Sequence, residues 1–135
     1  MKSSNLLSLA NVAKEAAKNA GKKLFEEFQK PQEVLLSKGR DIKLAVDEIA
    51  EKIIIDYLKE GSKLPILSEE AGITDDLGSE FWVVDPLDGT SNFFRSIPIC
   101  SSSISLIKDG SPCIGVIYDF LNDNLYWGAN GMGAH

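Results

Sequence analysis

"FWVVDPLDGTSNFF", residues 81–94, runs from four apolar residues directly into two aspartates three positions apart. Pro86 fixes the backbone between them, and Gly89 releases it. Two readings of this stretch compete. Pro-x-Asp-Gly is ordinary turn chemistry. A strand as apolar as Phe81–Val84, however, belongs in a core, and a surface turn does not usually follow one.

The residues around the aspartates favour a cation. Asp85 offers a carboxylate at a strand end, and Asp88 offers a second. Pro86 lacks a backbone N–H, and its fixed φ can turn the Leu87 carbonyl inward as a neutral oxygen ligand. Hard oxygens of this kind suit Mg²⁺ better than zinc or copper. If "TSNFF" opens a helix, the Gly89 and Thr90 amides sit at its positive end, where a phosphate would bind. Glu69 and Glu70 follow the short apolar run "LPILS", and Asp41 and Asp47 flank the start of a helical pattern. Strand pairing could bring these clusters to one sheet end, where unneutralised carboxylates repel and become partly protonated.

Outward from this stretch, the periodicity changes along the chain. Leu6, Leu9, Ala10, Val12, Ala13, Ala16, Ala17, Ala20, Leu24 and Phe28 recur at helical spacing. They predict an amphipathic helix from Asn5 to Gln29, stopped near Pro31. Val46, Ile49, Ile53 and Tyr57 predict a second helix that Gly61 closes. "PQEVLLSKGRD" reads as a short strand or loop with a Gly turn. "SIPICSSSISLIKDG", "SPCIGVIYDF" and "NLYWGA" read as successive antiparallel strands, the first two joined at Asp109-Gly110. The expected architecture is α+β, two N-terminal helices packed on a mostly antiparallel sheet. "LYWGANGMGAH" offers nothing to cover the last strand, so the chain is expected to stop short of a finished edge.

Bulk properties remove several function classes. The chain has 135 residues, a single-domain length, with 20 acidic against 14 basic residues and a formal charge of -6. No basic run could track a phosphate backbone, so nucleic acid is not an expected partner. The N-terminus carries no apolar run long enough for a signal peptide or membrane span, and no membrane association is expected. Cys100 and Cys113 lack metal or disulfide spacing and read as two buried thiols in a reducing cytoplasm. His135 is terminal and is not expected to act as a base.

"WVVDPLDGTSNF" resembles the first signature of the inositol monophosphatase family, the Mg²⁺-dependent, lithium-sensitive phosphomonoesterases. "LPILSEEAG" is similar to the family's glutamate-pair segment, and residues 96–134 resemble the strands that follow. The resemblance implies that residues 1–135 are the N-terminal metal-binding part of a layered αβαβα fold. Glu69, Asp85, Asp88 and the Leu87 carbonyl would hold Mg²⁺. Glu69 and Thr90 would orient and deprotonate the attacking water, with Asp47 supporting them. The Gly89 and Thr90 amides would hold phosphate, and Glu70 would be structural. The implied logic is two-metal phosphoryl transfer without a covalent phosphoenzyme.

Two departures from the family pattern stand out. Leu44 occupies a position where many members carry threonine, and nothing here matches the family's later Trp-Asp signature, which supplies another ligating aspartate. The expected substrate is a small phosphorylated polyol, inositol monophosphate first. 3'-Phosphoadenosine 5'-phosphate, fructose 1,6-bisphosphate and a non-catalytic metal-binding module are the alternatives. The 135-residue chain alone is expected to be inactive, and family habit suggests a homodimer.

Overall fold

The computed structural model describes residues 3–39, 41–69, 72–73 and 76–135, the side chains of Ser3 and Ser4 excepted. Helix α1 spans Ser3–Glu27 and helix α2 spans Ala45–Gly61. The apolar stripe read from the sequence is the buried one: Ala10, Ala13, Ala16, Ala17, Ala20 and Leu24 are wholly buried on α1. Their small size lets α1 lie close against α2, whose Ala50, Ile54 and Leu58 are equally buried.

Between the helices, β1 (Val34–Lys38) and β2 (Asp41–Leu44) form an antiparallel two-stranded ribbon. The remaining strands are β3 (Ile66–Ser68), β4 (Gly72–Ile73), β5 (Glu80–Asp88), β6 (Ser101–Lys108), β7 (Ser111–Asp119), β8 (Asn124–Ala129) and β9 (Gly133–Ala134). They form one sheet in the order β4-β3-β5-β6-β7-β8-β9. All its pairings are antiparallel except β3 with β5, which is parallel.

The helices cover one face of this sheet. Trp82, Val84, Ile104, Leu106, Ile114 and Val116 point into that layer and are buried. The alternate positions form the other face, where Ile117 is 48% and Tyr126 55% exposed. The α+β architecture expected from the sequence is therefore the one observed. The last strand is less bare than expected, because β9 pairs with β8. His135 and Trp127 exchange backbone hydrogen bonds and stack their rings, 4.5 Å between centroids. Both cysteines are free and buried, as expected. Among the described residues, no helix is long and apolar enough to cross a membrane.

Candidate metal and phosphate site

The parallel pairing of β3 and β5 decides where the carboxylates go. Parallel neighbours end at the same side of a sheet, and the register sets Ser68 opposite Val84. Glu69 and Asp85 are the next residues on each strand, and the Glu69 amide donates to the Val84 carbonyl at 3.2 Å. Their side chains meet in a hydrogen bond. Two carboxyl groups can share such a bond only with a proton between them. Glu70 lies outside the described residues.

Burial, followed by the hydrogen bond and charge of Glu69, pushes the Asp85 carboxyl up to about 7, with smaller contributions from the charges of Asp88 and Asp47. Asp85 Oδ1 is buried and has no hydrogen-bond partner among the described residues. A cation would remove both conflicts, and the donors at hand are hard oxygens. Asp88 is exposed at the strand end, and among the described residues no group of three or more His, Cys, Asp or Glu side chains is placed to hold a metal ion. The arrangement fits an open, oxygen-lined cation site rather than a closed cage.

The backbone beyond Asp85 explains how this geometry is held. Asp85 pairs with Ser103 and Asp88 with Ser101, so β5 carries one extra residue in a bulge at Pro86-Leu87. A bulge accommodates a proline inside a strand. Ser102 sits opposite, wholly buried, and its hydroxyl donates to the Pro86 carbonyl at 2.8 Å. The Leu87 carbonyl then lies 3.1 Å from Thr90 Oγ1.

Gly89 follows with φ 90° and ψ 37°, a left-handed conformation that caps the short helix α3, Thr90–Phe94. At five residues α3 has little macrodipole, but its first amides lack intrahelical partners. Phe93 anchors it, 1% exposed, with its ring 5.4 Å from Phe28 and 6.3 Å from Phe120.

Thr90 links this turn to α2. Its hydroxyl lies 3.0 Å from Asp47 Oδ1. Asp47 is only 2% exposed, and its Oδ2 accepts the Leu44 amide at 2.7 Å, across the first turn of α2. Leu44 thus supplies Asp47 with a backbone donor at the position where many family members carry threonine.

Glu69, Asp85, Leu87, Asp88, Gly89 and Thr90 all border one open cleft of 460 Å³, with Lys43 and Asp41 from the β1–β2 ribbon on its rim. Asp47 stands behind Thr90. Asp88 and Gly89 also border a neighbouring hollow of 430 Å³ that includes Asn92, Cys100 and Asp119. Burial, followed by the Asp119 and Asp88 charges, pushes the Cys100 thiol up to about 11, which disfavours its thiolate. The sequence reading missed Lys43, Ser102 and the buried pair Glu51 and Ser68. A serine at a core-facing position of an alternating strand, and a Glu four residues after Asp47, were the available signals.

Known proteins resemble this chain in sequence and in fold. A model of the inositol monophosphatase family matches residues 5–135. The fructose-1,6-bisphosphatase/inositol-1-monophosphatase of Aquifex aeolicus is 39% identical, over 97% of this chain and 51% of that protein. The Nus factor SuhB of Escherichia coli is 32% identical, over 93% of this chain and 49% of its own length. Among solved structures, the extragenic suppressor protein suhB of Bartonella henselae superimposes with a TM-score of 0.87 at 36% identity, over 93% of this chain and 50% of that one. The inositol monophosphatase of Anabaena gives 0.82 at 32% identity, over 97% and 47%. The chain spans about half the length of these relatives.

Proposed function

The chain belongs to the inositol monophosphatase family, and from that premise we propose that the protein hydrolyses a small phosphate monoester with the help of Mg²⁺. Inositol monophosphate is the leading substrate. The carboxylates of Glu69 and Asp85 and the Leu87 carbonyl would hold the metal, and Asp88 would have to turn in from the strand end to join them. Bound there, Mg²⁺ would make a water acidic enough to serve as nucleophile and would neutralise charge on the phosphate and leaving oxygens. Lithium inhibition is expected with it.

The chain's own residues supply the rest. Asp47, held by the Leu44 amide, accepts the Thr90 hydroxyl proton as a hydrogen bond. That leaves a Thr90 Oγ1 lone pair to accept from a water in the cleft and orient it. As the water attacks, Glu69 takes its proton, or Thr90 passes it to Asp47 while giving up its own. The amides of Gly89 and Thr90 are left without intrahelical partners and would hold the phosphate oxygens while the leaving oxygen takes a proton from water in the open cleft and departs as the alcohol. No protein nucleophile is needed.

The observation that carries this reading is the meeting of Glu69 and Asp85 at adjacent strand ends, beside a buried Asp85 oxygen with no partner among the described residues. Relatives named Nus factors leave a second reading open, in which the chain serves an assembly. Its net charge of -6 and the lack of a basic run argue against direct nucleic-acid contact. The deciding experiment is phosphate release by the full-length protein with and without Mg²⁺, on inositol monophosphate, fructose 1,6-bisphosphate and 3'-phosphoadenosine 5'-phosphate. Release that requires Mg²⁺ supports the proposal and ranks the substrates. No release from any of them at any Mg²⁺ concentration contradicts it.

A further inference from the structure

Glu51 is a buried carboxylate that the proposed chemistry does not use. It lies on α2 one turn after Asp47 and is 7% exposed. Burying a carboxylate is costly unless hydrogen bonds compensate. Glu51 Oε2 accepts the Ser68 hydroxyl at 2.7 Å, and Ser68 is itself 2% exposed. Ser68 is the last residue of β3, immediately before Glu69.

The placement has a consequence for Glu69. The direction in which Glu69 leaves the sheet depends on the backbone of Ser68. On one side that backbone is held by the ladder to β5, including the Glu69 amide bond to Val84. From α2 it is held by the Ser68 hydroxyl on Glu51. The same helix, one turn earlier, holds Thr90 through Asp47. One rigid helix therefore grips both halves of the site, the β3 tip and the turn after β5.

We propose that Glu51 is a positioning residue: through the Ser68 hydroxyl it fixes the strand tip from which Glu69 meets Asp85. The inference rests on the reading of Glu69 as a metal ligand. Partners that hold ligands in place typically change metal affinity by about 10–100-fold when removed. A pair that merely satisfied two buried polar groups would change stability alone.

The test uses the full-length protein and the variants Glu51→Ala, Glu51→Gln, Ser68→Ala and the double alanine variant. Two readouts are taken: Mg²⁺ affinity by calorimetry, and hydrogen exchange at the Glu69 amide in metal-free protein. Ser68→Ala and Glu51→Ala should each weaken Mg²⁺ binding by about tenfold. The double variant should be no weaker than Glu51→Ala alone, because the Ser68–Glu51 hydrogen bond is already lost in each single variant. Glu51→Gln keeps an acceptor and should stay within about twofold of wild type. The Glu69 amide should exchange faster in the alanine variants and not in Glu51→Gln.

Unchanged affinity and exchange in Ser68→Ala overturn the proposal, as does a Glu51→Gln variant as impaired as Glu51→Ala. Additive losses overturn it too. Should Glu51→Ala fail to fold, Ser68→Ala and Glu51→Gln carry the comparison. Wild-type protein that binds no Mg²⁺ contradicts the phosphatase reading instead, and the exchange data still decide the role of Glu51.

Discussion

Gly89 is the position where a single added methyl group should do most harm. Its φ of 90° is left-handed, so alanine there costs about 1–2 kcal/mol in backbone strain alone. The new Cβ would also stand 2.8 Å from the Ile99 carbonyl oxygen and 3.3 Å from Cys100 Cα. Ile99 is 71% exposed, yet its carbonyl cannot simply move aside, because it accepts the Asn92 side chain at 2.9 Å. Crowding of this kind adds about 1–3 kcal/mol. Gly110 is the control. It has φ 80° but nothing within 4 Å of an added Cβ, so Gly110→Ala should show only the strain. Urea unfolding followed by tryptophan fluorescence should place Gly89→Ala about 1–3 kcal/mol below Gly110→Ala at equal slope. Phosphate release should fall in Gly89→Ala and survive in Gly110→Ala. Equal stability losses in the two variants would refute the close approach of Gly89 to Ile99, and with it the geometry of the phosphate-binding turn.

Three further outcomes are expected. Asp85→Asn should abolish Mg²⁺-dependent phosphate release without unfolding the protein, which turnover and circular dichroism would check together. In metal-free protein the raised Asp85 pKa makes the folded state hold a proton that the unfolded chain releases near 3.8. Its stabilising contribution is therefore complete below that value and is lost as pH rises through about 7. Melting temperatures from pH 4 to 8 should fall more steeply for wild type than for Asp85→Asn. Thr90→Val removes the hydroxyl between Asp47 and the cleft and should lower turnover by about 10²–10⁴-fold, while Thr90→Ser keeps most of it.

Much of this fold is legible in the sequence because its elements are long and periodic. The α1 stripe and the alternation of Ile104 and Leu106 mark their buried faces directly. The ribbon of β1 and β2 is legible only as a short strand or loop with a Gly turn, since every residue of β1 is exposed and carries no alternation. The site is legible in part. Asp85, Asp88 and Gly89 announce themselves by their spacing, but the parallel pairing that sets Glu69 beside Asp85 is a long-range choice that no local pattern encodes. Ser102 and Glu51 were passed over for a related reason. A serine in a strand and a glutamate in a helix look solvated until the tertiary packing buries them.

Competition between a proton and a cation for the Glu69–Asp85 pair tests the account most directly. Calorimetric Mg²⁺ titration of the full-length protein at pH 6, repeated in two buffers of different ionisation enthalpy, counts the protons released on binding. With the Asp85 pKa raised to about 7, about nine-tenths of a proton should leave for each ion bound at the pair, and the release should fade above pH 8. Magnesium binding with no proton release at pH 6, or no binding at all, would contradict the convergence of these two carboxylates on a shared ion.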